Sequence, residues 1–259
     1  MKCNIDYYCV SNVGKRRSRN QDNYICVKNY MNYENNGTNG MVSGIVSNHV
    51  NSLIGVFDGM GGEERGEMAA YLAAKSASKL ILSNAPDVDM LSYCKAANNR
   101  ICKFVEQHSL SSAGTTAATL AFCKKEICLC NIGDSKIFRF RNGKLVQVSE
   151  DHVSISAYGT KPPLSQNLGI PENEMTIEPY ISSMRYFDGD TYLICTDGLT
   201  DMVEVNEIED TLRNNSAENA VEKLLKKALI NGGKDNITII LCVIRKEGIF
   251  NRLKRFIKI

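Results

Sequence analysis

Charge of one sign, proline and long apolar runs are all scarce in this 259-residue sequence. Lys and Arg number 31 against 29 Asp and Glu, a formal net charge of +2. Such a balance argues against a nucleic-acid binder, which presents a strongly basic face. With 5 Pro and 19 Gly in a chain that is 43% hydrophobic and 23% charged, extended disorder, a collagen-like repeat and a coiled coil are excluded as well. There is no internal repeat. No apolar stretch approaches the roughly 20 residues of a membrane helix, and the opening MKCNIDYYCV has no signal-peptide core. A soluble, cytoplasmic protein is expected. The ten cysteines form no C-x-x-C pair, and only Cys128 and Cys130 lie close, two apart. Set inside apolar runs, they read as reduced thiols used as small core hydrophobes, with zinc or a disulfide framework as the alternative.

What the sequence does have is a series of short β-rich runs: Ile5–Val13, Asn23–Val27, Leu53–Phe57, Thr116–Phe122, Ile127–Ile132, Lys136–Phe140, Leu145–Val148, Thr191–Cys195 and Ile237–Val243. Within IFRFRNGKLVQV, Asn142-Gly143 supplies both positive-φ residues of a type I′ hairpin turn. Helical patterns cover Glu64–Leu82, Val88–Gln107 and Ala217–Leu229. Strands cluster instead of alternating with helices, which predicts an α+β layered fold with antiparallel sheets. Two irregular stretches remain. Residues 29–51 are Asn/Gly-rich and read as a long loop or hairpin insertion; residues 149–185, carrying Pro162, Pro163, Pro171 and Pro179, read as a flap.

Aspartates stand where strands end. LIGVFDGMGG stops a buried-type strand at Asp58, followed by Gly59, and TYLICTDGLTD repeats that grammar with Asp197. In NGGKDNITIILCVI, Asp235 enters the last apolar strand, and CNIGDSKIF places Asp134 after Gly133. Each alone is common turn chemistry. Four together, beside buried strands, would repel and lose hydration unless a cation gathers them. Oxygen donors without His or Cys suit Mg²⁺ or Mn²⁺, and Gly59 leaves its bare carbonyl free to reach a metal. A nucleotide site is disfavoured: GMGGEERG lacks G-x-G-x-x-G spacing, no GK[ST] occurs, and an acid precedes the glycines. Upstream, GKRRSRNQDNYICV sets Arg16, Arg17 and Arg19 before Asp22, suited either to solvated surface or to gripping a phosphoryl group.

Taken in order, RSRNQD, VFDGMGGEERGE, SSAGTTA, NIGDSKIF, LICTDGLTD and GGKDNIT resemble the metal-dependent Ser/Thr protein phosphatase family of the protein phosphatase 2C type. The pieces span Arg17 to Thr238, nearly the whole chain. The resemblance implies a four-layer αββα sandwich with two central, mostly antiparallel β-sheets, forming one phosphatase domain over 1–245. By position, Asp58 would bridge two Mn²⁺ or Mg²⁺ ions, with the Gly59 carbonyl on one and Asp197 and Asp235 on the other. Asp22 would hold metal-bound water, Arg17 would bind phosphate, and Asp134 and Asp201 would help hold a third, weakly bound ion. The implied reaction is hydrolysis of phosphoserine and phosphothreonine in proteins by a metal-activated water. Its substrates would be targets of a Ser/Thr kinase, and the chain a monomer.

Three departures accompany the resemblance. Gln21 stands where relatives carry Glu, which removes one acid beside the metals. Met60 stands where animal relatives carry His; bacterial relatives also show GMGG, so Met60 implies a bacterial type with water as proton donor. The flap lacks the charged helical pattern of bacterial members. Gln21 is the feature favouring the rival reading, a pseudophosphatase that serves as a regulatory binding module; a hydrolase of small phosphoesters is a third. No catalytic role is expected of His49, His108 or His152. In the C-terminal segment 246–259, Ile249, Phe250, Leu253, Phe256 and Ile257 share one helical face, with Arg252, Lys254, Arg255 and Lys258 on the rest. It reads either as a helix docked on its own domain or as a basic amphipathic contact for a membrane or partner.

Overall fold

The computed structural model describes residues 3–48, 52–60, 65–80, 89–123, 126–155 and 162–246. The first half contains β1 (Cys3–Asn12), β2 (Asn23–Cys26), β3 (Val42–Ser47), β4 (Ser52–Phe57), the two-residue β5 (Gly59–Met60), α1 (Gly66–Leu80) and α2 (Met90–Gln107). Then come β6 (Gly114–Thr115), β7 (Ala117–Phe122), β8 (Glu126–Ile132), β9 (Lys136–Arg141) and β10 (Lys144–Gln147). The last third adds β11 (Tyr180–Arg185), β12 (Thr191–Cys195), α3 (Asp197–Thr200), α4 (Val205–Arg213), α5 (Ala217–Ile230) and β13 (Ile237–Lys246).

Two antiparallel sheets form the centre, ordered β10-β9-β12-β13-β1-β3 and β11-β8-β7-β4-β2. Successive side chains of a strand point to opposite faces, and here both faces are buried, which is why the strands read as unbroken apolar runs. In β13, Ile240, Cys242 and Ile244 pack between the sheets, while Ile239 and Leu241 face a helical layer with Ile208, Val221 and Leu224. In β4, Ile54 and Val56 point inward, and Leu53 and Phe57 meet the alanine face of α1, Ala69, Ala70, Ala73 and Ala77, together with α2. The result is the expected αββα sandwich.

The Asn142-Gly143 turn has φ values of 51° and 74°, as a type I′ turn requires. Inside the stretch taken as a loop or hairpin insertion, Val42–Ser47 adds an edge strand to β1. Within the flap region, Tyr180–Arg185 is a strand that pairs with β8. Helices α3 and α4 were not foreseen. All ten cysteines are free thiols. His49, the start of the first helical pattern at Glu64 and the segment 247–259 lie outside the described residues.

Candidate active site

Sheet register brings the acids to one end of the sandwich. Strand β4 finishes at Phe57 opposite Asn23, where β2 starts, so Asp58 and Asp22 flank the same sheet end. In the other sheet Cys195 pairs with Ile239, so Asp197 leaves β12 beside the point where Asp235 enters β13. Strand β8 ends at Ile132 against Ala117, which carries Asp134 alongside Thr116. Thr116 locks Asp58 from below: its backbone N–H donates to the Asp58 carbonyl at 2.9 Å, and its Oγ1 accepts from the Asp58 N–H at 3.0 Å.

Arg17, Asp58, Gly59, Asp134, Asp197 and Asp235 line one cavity of about 280 Å³, with Gln21 and Met60 at its edge. Two glycines permit this convergence. A Cβ on Gly59 would fall 2.3 Å from the Gly66 carbonyl oxygen, and one on Gly198 would fall 1.9 Å from that of Asn236. Gly59 is therefore demanded by close backbone packing, a reason separate from its carbonyl.

Asp22 lies behind the cavity, 1% exposed. Its Oδ2 accepts from Thr196 Oγ1 at 2.9 Å and from Thr238 Oγ1 at 2.6 Å, while its buried Oδ1 has no hydrogen-bond partner. Burial pushes this carboxyl up to about 8; the two hydroxyls pull it down, and the charges of Asp197 and Asp235 push it further up. Asp58 is raised well above the usual carboxylate range, first by loss of hydration and then by Asp197, Asp22, Asp134 and Asp235. Burial and mutual repulsion are what a cationic partner would relieve.

Asn236 was not singled out from sequence, yet it ties the arginine loop to β13. Its Nδ2 donates to the carbonyls of Val13 and Arg19, both at 2.9 Å, and its Oδ1 accepts from the Gln21 N–H at 2.7 Å. Arg17 is thereby held over the cavity, where its Nη2 lies 2.6 Å from Asp235 Oδ2. Thr196 and Thr238 were likewise missed. Asp201 sits one helical turn beyond Asp197, its N–H on the Asp197 carbonyl at 2.7 Å; it is exposed and outside the cavity lining. Gln21 Nε2 is 3.5 Å from Glu67 Oε2.

The donor set is chemically that of a hard divalent cation: oxygens only, one of them buried and unpartnered. The carboxylates face a common space without being drawn tight. Among the described residues, no three His, Cys, Asp or Glu side chains form a ready-made cage. The cation that closes on Asp235 is Arg17.

The sequence profile described as Protein phosphatase 2C matches residues 43–230, well over half of the chain. This chain belongs to the protein phosphatase 2C family. It is a protein serine/threonine phosphatase of the bacterial type. Serine/threonine phosphatase stp of Listeria welshimeri is 28% identical over 222 residues, covering 76% of this chain and 87% of that one. The crystal structure of the Mycobacterium tuberculosis serine/threonine phosphatase PstP/Ppp superposes with a TM-score of 0.76 at 25% identity, covering 94% of this chain and all of that one. A second crystal structure, the PstP catalytic domain in complex with two manganese ions, gives 0.73 at 26% identity over 94% of this chain and all of that one. These likenesses favour the hydrolase over the binding-module alternative, and phosphoproteins are its substrates. No helix among the described residues is long and apolar enough to cross a membrane.

Proposed function

We propose that this phosphatase removes phosphate from phosphoserine and phosphothreonine by direct attack of water, with two Mn²⁺ or Mg²⁺ ions held at the end of the sandwich. The observation that carries this reading is the single cavity lined by Arg17, Asp58, Asp197 and Asp235. Asp58, the Gly59 carbonyl, Asp197 and Asp235 would hold the pair; Asp134, at the same wall, would serve a third and weaker ion, with Asp201 one turn further out. When bound, such ions lower the pKa of water and neutralise phosphoryl oxygens.

The chain's own residues supply orientation and charge. Asp22 is kept behind the cavity by the hydroxyls of Thr196 and Thr238, which fixes its free Oδ1 as an acceptor for water. Arg17 has a planar fork of donors suited to phosphoryl oxygens, and Asn236 anchors the loop that presents it. The chemistry needs no nucleophilic side chain, and the thiols, most of them buried, take no part. Met60 at the rim has no proton to give, so the leaving alkoxide takes its proton from solvent. A Ser/Thr kinase acting on the same phosphoproteins is the natural counterpart.

The test is Mn²⁺-dependent hydrolysis of a chromogenic aryl phosphate, with Asp58→Ala and Asp235→Ala as controls, followed by phosphopeptides. Turnover that survives chelation, or that survives both substitutions, would overturn the mechanism.

A further inference from the structure

A second, wider cleft lies beside the acidic cavity. It has a volume of about 620 Å³ and runs between the C-terminal half of α2, residues 111–114 and residues 167–174. Met60 lines both spaces, so the two adjoin at that residue. The backbone connects them as well: Gly114 pairs with Met60 and Thr115 with Gly59, and the next residue, Thr116, binds Asp58. Two extended residues, about 7 Å, therefore separate the near end of the cleft from the acids.

The walls are built, not incidental. Asn98, 4% exposed, clamps the far wall to α2: its Oδ1 accepts from the N–H groups of Gly169 (2.7 Å) and Ile170 (3.1 Å), and its Nδ2 donates to the Ile170 carbonyl at 2.8 Å. Leu168 and Thr115 exchange both backbone hydrogen bonds at 2.9 Å, closing the floor. Val105, Ile170 and Pro171 give the cleft apolar surface. Its charged residues are Lys103, Glu106 and Glu174, all exposed, and no ion pair among the described residues involves them. A preformed, partly apolar cleft with a few unpaired charges is the usual form of a recognition site.

We propose that this cleft seats the substrate polypeptide a few residues to one side of the phosphoresidue and selects a basic side chain there, with Glu106 and Glu174 as its counter-charges. The inference rests on the phosphatase reading and adds a sequence preference to it. The occupant follows from adjacency to the reaction site and from charge complementarity. A phosphoresidue placed at the acidic cavity leaves its flanking chain beside Met60, and the net charge of the cleft is acidic.

The experiment compares phosphopeptides carrying Lys or Ala at successive positions on each side of phosphothreonine with para-nitrophenyl phosphate, which is too short to reach the cleft. The parent protein and the double variant Glu106→Lys/Glu174→Lys are measured. Expected is a preference for Lys on one side, carried by KM and shrinking as salt screens the exposed charges. In the variant, the ratio of kcat/KM on the Lys peptide to that on the aryl phosphate falls about tenfold, two exposed attractions having become repulsions. Aryl phosphate turnover with no preference for Lys, or a preference unchanged in the variant, would overturn this inference alone. No metal-dependent turnover of either substrate would overturn the phosphatase reading and the inference with it.

Discussion

The guanidinium of Arg17 and the carboxylate of Asp235, 218 residues apart in sequence, meet at 2.6 Å over the acidic cavity. Arg17 thus occupies one candidate metal ligand while standing where phosphate would arrive. Replacing Arg17 with Ala is expected to lower kcat/KM about 100-fold, the usual cost of losing one aimed donor for transition-state charge. Mn²⁺ affinity should be kept or strengthened, because Asp235 loses its competing partner. Calorimetric Mn²⁺ titration beside steady-state kinetics separates the two; weakened metal binding with intact kcat would reverse the assignment.

Asp58→Asn removes the most crowded carboxylate at the cavity. In chelator, the melting temperature should rise, by about 2–4 °C for each kcal/mol of repulsion relieved in a domain of this size. The stabilisation that Mn²⁺ gives the parent through binding only the folded state should disappear, and turnover with it. Melting curves with EDTA and with Mn²⁺ decide this; an undiminished Mn²⁺ shift in the variant would show that the ions bind elsewhere.

Stability of the metal-free protein should depend on pH with an unusual sign. Asp22 is raised from an ordinary 3.8 to about 8 in the folded state, so between these values the folded chain holds a proton that the unfolded chain has released. Stability then falls as pH rises through that window. Chelated protein should melt higher near pH 5 than near pH 8, until other groups titrate, and Mn²⁺ should stabilise most at the alkaline end. A flat profile in chelator, or one that rises with pH, would contradict the burial of Asp22.

Asn236→Ala deletes three bonds that moor the loop carrying Arg17. A cost of about 1–3 kcal/mol is expected from the carbonyls and N–H left without partners. The kinetic loss should appear mainly in KM for phosphopeptides, with Mn²⁺ affinity largely retained. Denaturant melts and Michaelis curves test both parts; an unchanged KM would confine Asn236 to stability.

Much of this architecture was legible because both faces of the central strands are buried, leaving runs such as ITIILCVI that only a sandwich interior accommodates. The edge strands were harder to see. Val42–Ser47 and Tyr180–Arg185 alternate between partly buried and exposed positions, carry a weak apolar signal and owe their shape to β1 and β8. Helix α4 does carry a periodic face, burying Ile208, Thr211 and Leu212, but it is only nine residues long and its signal is correspondingly brief. At the site, Asp58, Asp134, Asp197 and Asp235 were found because acids at apolar strand ends are chemically conspicuous. Thr196, Thr238 and Asn236 were not, since their contacts with Asp22 and the arginine loop join segments far apart in the chain and leave no local pattern. Asp201 was named by the family resemblance alone, and the structure sets it one helical turn beyond Asp197, outside the cavity lining.

Strands β1 and β13 pair along their full length, with Asn12 opposite Ile237 at the acidic end and Cys3 opposite Lys246 at the other. At about 3.3 Å per strand residue, Lys246 lies roughly 30 Å from the reaction mouth. Whatever follows Lys246 therefore departs from the end of the sandwich opposite the reaction mouth.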